Sequence, residues 1–251
     1  DGVDAAEAVE RAVRGGYVVK LKLNGKHSKG AMAARDPQSG RIWLLKPGSG
    51  KQSPAAGARD GTASQSRREA CFWHVADKLH LGGVVPRADL LIVNAQEWAA
   101  IKLLGADWKS LDERNREKQY KGREVLEPYR LNGQLHRWGI LDWVLGNTDS
   151  HGQNLLVNEG GSVALIDHGA AFAGPKFDPA HDTKSFIPFY LRVWAPDTDF
   201  KKKTPDERVK HMPTLGKYED DVLKRWLVED FTPEMLERVL RKYGIDDQVV
   251  K

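Results

Sequence analysis

The chain has 251 residues, 40% hydrophobic and 29% charged, with a formal net charge of +4 and a single cysteine. That length builds one well-buried domain or two small lobes. The lone Cys71 excludes an internal disulfide and any multi-cysteine metal site, and no apolar run approaches the ~20 residues of a membrane helix. The mild basic excess admits an anionic partner such as a nucleotide, an acidic membrane face or nucleic acid and selects none of them; nucleic acid is not expected once the motifs are read. Asp1 to Ala8 carry neither the basic nor the apolar run of a signal peptide, and the cysteine usage fits a reducing, cytoplasmic setting.

Tyr17 to Leu23 is rich in β-formers and predicts a strand. Asn24 to Gly30 (NGKHSKG) is a loop bounded by Gly25 and Gly30. Ala31 to Arg35 predicts a returning strand, Asp36 to Gly40 a turn, and Arg41 to Lys46 (RIWLLK) a third strand, together a small antiparallel meander. Pro47 to Gln65 is a loop rich in Gly, Ser, Ala and Pro. From Ser66 to Leu81, Phe72, Val75, Ala76 and Leu79 recur at helical spacing. Ser66 with Glu69 forms a capping-box pattern that places the helix start at Ser66. Val84 to Val93 holds two extended pieces around Pro86, and Trp98 to Leu104 is a strand or a helix.

Leu111 to Lys121 is dense in charge and predicts a solvated helix face. Leu135, Trp138, Leu141 and Leu145 continue an amphipathic helix to Gly146. Asn154 to Val157 and Ser162 to Ile166 predict a two-stranded hairpin around a Glu-Gly-Gly turn. Tyr218 to Tyr243 predicts two helices, the second capped by Thr232 with Pro233 at its first position.

The segment NTDSHGQNLLV (Asn147 to Val157) followed by VALIDHG (Val163 to Gly169) is the strongest chemical signal. It sets Asp149, Asn154 and Asp167 at the edges of two apolar strands, and a hairpin gathers them at one end. Phosphoryl transfer needs such a set: one carboxylate to orient the attacking hydroxyl, and an amide oxygen with a second carboxylate to hold a hard cation against phosphates. Lys46 ends an apolar strand, as the strand lysine of kinases does, and from there could reach phosphates. Glu69, 23 residues later on the next helix, is placed either to pair with that lysine or to cap its own helix. His151 either stabilises developing phosphate charge or buttresses its loop.

In this order the motifs resemble the phosphatidylinositol 3-/4-kinase superfamily, with the closest similarity to type II phosphatidylinositol 4-kinases. RIWLLKP (Arg41 to Pro47), EACFWHVADKLHLGGVVPR (Glu69 to Arg87), LDWVLGNTD (Leu141 to Asp149), IDHGAAF (Ile166 to Phe172) and IPFYLRVW (Ile187 to Trp194) carry it. The resemblance implies an α+β, two-lobed, protein-kinase-like fold, with an antiparallel-sheet N-lobe over residues 1–104 and a mostly helical C-lobe over 105–251. It implies ATP with Mg²⁺ (or Mn²⁺) as cofactors. Lys46 would bind phosphate and act in catalysis with Asp149 and His151, Glu69 would steady Lys46, and Asn154 and Asp167 would hold metal. Gly25, Ser28, Lys29 and Gly30 would belong to the loop covering the nucleotide phosphates. The acceptor would be a phosphoinositide or a protein Ser/Thr hydroxyl; a nucleotide-binding scaffold without turnover is the alternative.

The sequence also departs from the family. Ser150 stands where the family has a basic residue after the catalytic Asp, and His151 matches the 3-kinases rather than the type II enzymes. The palmitoylated cysteine-rich segment of the type II lipid kinases is missing, and Cys71 belongs to an apolar helix face. Gly48 to Ser53 (GSGKQS) imitates a phosphate loop but lacks the required glycine four residues before Gly50-Lys51. Lys201-Lys202-Lys203 predicts a solvated loop, and Trp98 and Trp194 predict packing residues.

Overall fold

The computed structural model describes residues 5–20, 31–48, 63–93, 95–117, 122–147, 149–172 and 217–245. Helix α1 (Ala5–Arg14) leads into strands β1 (Val18–Lys20), β2 (Met32–Arg35) and β3 (Ile42–Pro47). Helix α2 (Gln65–Lys78) and strands β4 (Ala88–Val93) and β5 (Gln96–Lys102) follow. These strands form a five-stranded antiparallel sheet of order β1-β2-β3-β5-β4. The meander is therefore β1-β2-β3, and the Trp98 segment is a strand that pairs with β3, Lys46 facing Ala99 across the ladder.

Side chains alternate across a strand, and in β3 the alternation sorts the sheet into two faces. Trp43 and Leu45 pack with Ala34, Leu91 and Ala100 under α1, which supplies Ala5, Ala8, Val9 and Ala12. Leu44 lies on the other face with Ala88, Ala99, Ile101 and, from α2, Trp73. Lys46 is two residues beyond Leu44, so the pleat delivers it to the α2 side. The sequence had not marked α1, although Ala5, Ala8, Val9 and Ala12 repeat at helical spacing; alanine is too small a signal beside leucine or phenylalanine.

Arg11 fastens α1 to the β2–β3 turn. Its Nε donates to Asp36 Oδ1 and its Nη2 to Asp36 Oδ2, each at 3.0 Å. Asp36 also accepts from Ser39 Oγ at 2.6 Å and from the backbone N–H groups of Gln38 and Ser39. The Arg11 hydrogen bonds, then those of Ser39, hold the Asp36 carboxyl far below its ordinary 3.8. A depressed carboxylate contributes stability that is present above the unfolded value and lost as pH falls through the folded one. Asp36→Ala is thus expected to lower Tm at neutral pH. The gap to the parent protein should narrow as pH drops below about 3.8, as read by thermal unfolding at stepped pH.

The second lobe is mostly helical. It holds α3 (Leu111–Arg116), α4 (Gly122–Leu131), α5 (Gln134–Val144), α6 (Lys217–Glu229) and α7 (Pro233–Lys242). A small sheet of β6 (Lys109–Ser110), β7 (Leu155–Val157) and β8 (Val163–Leu165) lies among them, with Leu155 opposite Leu165 and Val157 opposite Val163. One continuous core joins Phe72 and Val75 of α2 to Trp138 and Leu141 of α5, Leu155 and Leu165 of the hairpin, and Trp226 and Leu240 of α6 and α7. The architecture is the α+β, two-lobed fold expected from the sequence, with α2 packed into both lobes. No helix among the described residues is long and apolar enough to cross a membrane.

Two local readings are corrected. Helix α2 starts at Gln65 and is capped by Ser64, whose side chain accepts from Arg67 N–H at 3.3 Å; Ser66 is inside the helix and donates instead to the Lys46 carbonyl at 3.1 Å. The charged stretch after Leu111 is not wholly solvated. Ser110 and Glu113 form a capping box, Leu111 and Arg114 are buried, and Arg114 donates through Nε to the Val157 carbonyl at 3.3 Å and through Nη2 to that of Asp107 at 2.6 Å. Helix α4, with Pro128 inside it, went unmarked. Cys71 is buried, Thr232 caps α7 and Pro233 opens it.

Candidate active site

Lys46 Nζ donates to Asp167 Oδ1 at 2.8 Å and to Glu69 Oε2 at 3.4 Å. One cation thereby ties the end of β3 to α2 and to the residue that follows the hairpin. The competing role of Glu69 is decided: it pairs with Lys46, and because Ser64 has taken over the cap, Glu69 has no capping duty. Glu69 is 4% exposed in its side chain, Lys46 18% and Asp167 40%, so the bridge runs from the interior toward an open edge.

The electrostatics follow from that gradient. Burial alone would lower the Lys46 pKa, but the charges of Glu69 and Asp167 outweigh it, and the net shift is upward. The ammonium is kept. Burial raises the Glu69 pKa against the opposing pull of Lys46 and of the His168 N–H that it accepts. Lys46 lowers the Asp167 pKa against its burial. Asp167 is therefore the carboxylate that holds its charge at the open edge.

Asp167 has φ +63°, in the left-handed region that non-glycine residues seldom occupy and that Asp and Asn tolerate best. Two contacts frame this turn. Ile166 N–H donates to the Asn154 carbonyl at 2.9 Å, extending the hairpin by one link. Gly169 lies against the Gln65 side chain of α2, which a Cβ there would have to push aside.

Asp149, Ser150, His151, Asn154, Ile166 and His168 line a small cleft at this end of the hairpin. Asn154 Nδ2 donates to the Asp149 carbonyl at 2.8 Å, and Asn154 N–H donates to that of His151 at 2.9 Å. The amide is thus turned with Oδ1 away from the loop. The Asp149 side chain is half exposed, and its Oδ1 lies 3.4 Å from His151 Nε2. His151 Nδ1 accepts from Gln153 N–H at 3.3 Å, a contact within its own loop of the kind the buttressing role needs.

Sequence reasoning gave no role at the site to Asp142, Asn147 or His168, and read Phe72 only as part of an apolar helix face. Helix α5 ends in a left-handed Gly146 (φ +60°), and the Asn147 N–H returns to the Asp142 carbonyl at 2.8 Å, a six-to-one helix stop. That stop aims the Asn147 amide inward, where Nδ2 lies 2.8 Å from Asp142 Oδ1 and 3.3 Å from His168 Nδ1. His168 Nε2 lies 3.1 Å from the Leu165 carbonyl, and its ring stacks on Phe72 at 3.7 Å. With Asn147 donating to Nδ1 and Nε2–H donating to Leu165, His168 is neutral; burial pulls its pKa down to about 4. The available signal was Asp142 itself, a carboxylate next to Leu141 in an apolar helix stripe.

Asn154 Oδ1 in the cleft and the carboxylate of Asp167, between the cleft residues Ile166 and His168, are hard oxygens. Among the described residues no three His, Cys, Asp or Glu side chains cluster as a metal cage. Oxygens of this kind are the ligands that a hard cation prefers. Gly25, Ser28, Lys29 and Gly30, together with Lys51, Trp194 and Lys201 to Lys203, lie outside the described residues.

Residues 117–206 match the family model Phosphatidylinositol 3- and 4-kinase. The matched stretch contains Asp149, Asn154 and Asp167, while Lys46 and Glu69 precede it. The curated proteins contain no significant match. Among solved structures, the chain is similar to a Helicobacter pylori proinflammatory kinase, CtkA, at 14% identity and a TM-score of 0.45, covering 93% of this chain and 94% of that one. It is also similar to the Mycobacterium tuberculosis PknI kinase domain, at 18% identity and a TM-score of 0.45, covering 73% and 76%.

Proposed function

We propose that the chain is a kinase of the phosphatidylinositol 3-/4-kinase type, transferring the γ-phosphoryl group of ATP to a hydroxyl acceptor. The observation that carries the reading is the Lys46 bridge to Glu69 and Asp167. It joins residues 121 positions apart, and its Asp167 stands between Ile166 and His168, which line the small cleft together with Asp149 and Asn154.

In this reading Lys46, held by Glu69, turns its ammonium to the nucleotide phosphates. Asn154 and Asp167 would hold Mg²⁺ (or Mn²⁺), which would neutralise phosphate charge when bound. Asp149 orients the acceptor hydroxyl. The acceptor oxygen forms a bond to the γ-phosphorus, the bond from that phosphorus to the ADP oxygen breaks, and the hydroxyl proton passes to Asp149. Such a loose transition state depends on positioning more than on basicity. The family match favours a phosphoinositide acceptor, and a protein Ser/Thr hydroxyl is the other candidate.

Labelled-ATP transfer tested in parallel on phosphoinositide vesicles, on proteins of the native host and on the chain itself distinguishes these acceptors. Asp149→Asn is expected to bind Mg-ATP within a few-fold of the parent in calorimetry, yet to lose at least about 10²-fold in transfer. Equal loss of binding and transfer would show Asp149 to be structural. Unchanged transfer would move the catalytic loop elsewhere.

A further inference from the structure

Arg68 precedes Glu69 on α2 and is 2% exposed, yet among the described residues its Nε and Nη1 atoms are buried without a hydrogen-bond partner. Gln65, Arg68, Glu69 and Phe72 follow the i, i+3, i+4, i+7 spacing of one helix face. The other three members of that face touch the turn after β8: Gln65 lies against Gly169, Glu69 accepts from His168 N–H, and Phe72 stacks on His168. Arg68 thus belongs to the face of α2 that serves the candidate active site.

A desolvated guanidinium is destabilising unless an anion meets it. Burial lowers the Arg68 pKa, with Glu69 opposing, but an arginine remains charged in a protein. Glu69, the carboxylate beside Arg68 on α2, already holds Lys46, as does Asp167, and neither accepts from Arg68 Nε or Nη1.

We propose that Arg68 is an anion-receiving residue whose ligand is a phosphate group, met by the unpartnered guanidinium N–H groups beside the Lys46–Glu69 bridge. A guanidinium donates to the oxygens of a phosphate or a carboxylate; the choice of phosphate rests on the proposed phosphoryl transfer at the adjoining site. The phosphate is either free or esterified to a hydroxyl of this chain, and the chemistry at Arg68 is the same in both cases.

Thermal unfolding of the full chain tests this without ATP or turnover. Roughly 10 mM inorganic phosphate, against chloride at equal ionic strength, should raise the parent Tm by about 2–4 °C and leave Arg68→Met and Arg68→Gln unmoved. In chloride Arg68→Met should melt no lower than the parent, because it removes a buried charge. If the purified chain already carries covalent phosphate by intact mass, phosphatase treatment should lower the parent Tm and not that of the variants.

A phosphate response shared by the parent and both variants marks an adventitious ion only and overturns the proposal, as does the absence of any response in both arms. A marked loss of Tm in both variants in chloride also overturns it, by showing that Arg68 already has its partner within the fold. Mg-ATP calorimetry on the same samples separates this inference from the functional reading. Retained nucleotide binding with no Arg68 effect sinks the inference alone, and an Arg68 effect without nucleotide binding sinks the functional reading alone.

Discussion

Asp167→Asn is expected to leave the chain folded and to reduce phosphoryl transfer by at least about 10³-fold, near the limit of detection. The fold should survive for two reasons. Asn accepts the left-handed backbone that Asp167 occupies at φ +63° about as readily as Asp does, whereas Ala would strain it. Lys46 also keeps its second carboxylate, Glu69, at 3.4 Å. The chemistry should not survive, because the amide removes the one charge that Lys46 holds ionised at the open edge of the site. Mg-ATP affinity should fall with it, in contrast to Asp149→Asn, which spares binding. Circular dichroism, calorimetry with and without Mg²⁺, and a labelled-ATP assay together read the three outcomes. Near-normal activity in this variant would remove Asp167 from the metal site.

Lys46→Met should cost about 10²–10³-fold in transfer, the scale of one lost electrostatic contact to a transition state. It should also destabilise the chain, on the order of 3 kcal/mol, because the buried Glu69 loses its counter-charge. The two losses can be separated. Adding Glu69→Gln to Lys46→Met removes the stranded carboxylate and should recover much of the stability, while transfer stays low. Thermal unfolding and turnover measured on the parent, both single variants and the double variant complete the cycle. Recovery of activity together with stability would reduce Lys46 to a structural residue.

Much of this site was legible in the sequence because its parts are local. A strand ending in Lys46, a helix carrying Glu69 and a hairpin with Asp149, Asn154 and Asp167 near its ends are each written in a stretch of ten to twenty residues. There, hydrophobic period and turn residues suffice. The helix start failed because Ser66 with Glu69 carries the local capping-box pattern, whereas the cap is Ser64. Ser66 lost because its hydroxyl is occupied by the Lys46 carbonyl, from a strand about 20 residues away. Helix α1 failed because its apolar stripe is mostly alanine, and α4 because Pro128 interrupts its pattern.

The sequence by itself determined the order of the elements, the α+β class and the residue types at the mouth of the cleft. Those follow from near-neighbour spacing and from the chemistry that each side chain can perform. Only the tertiary structure decided which of those residues meet. That Lys46 takes both Glu69 and Asp167, that Asn147 fixes a neutral His168 against Phe72, and that Arg68 is buried with two unpartnered nitrogens all depend on the packing of α2 against both lobes. Contacts between residues 21 to 121 positions apart are set by how helix and sheet faces fit together, and no local periodicity records that fit.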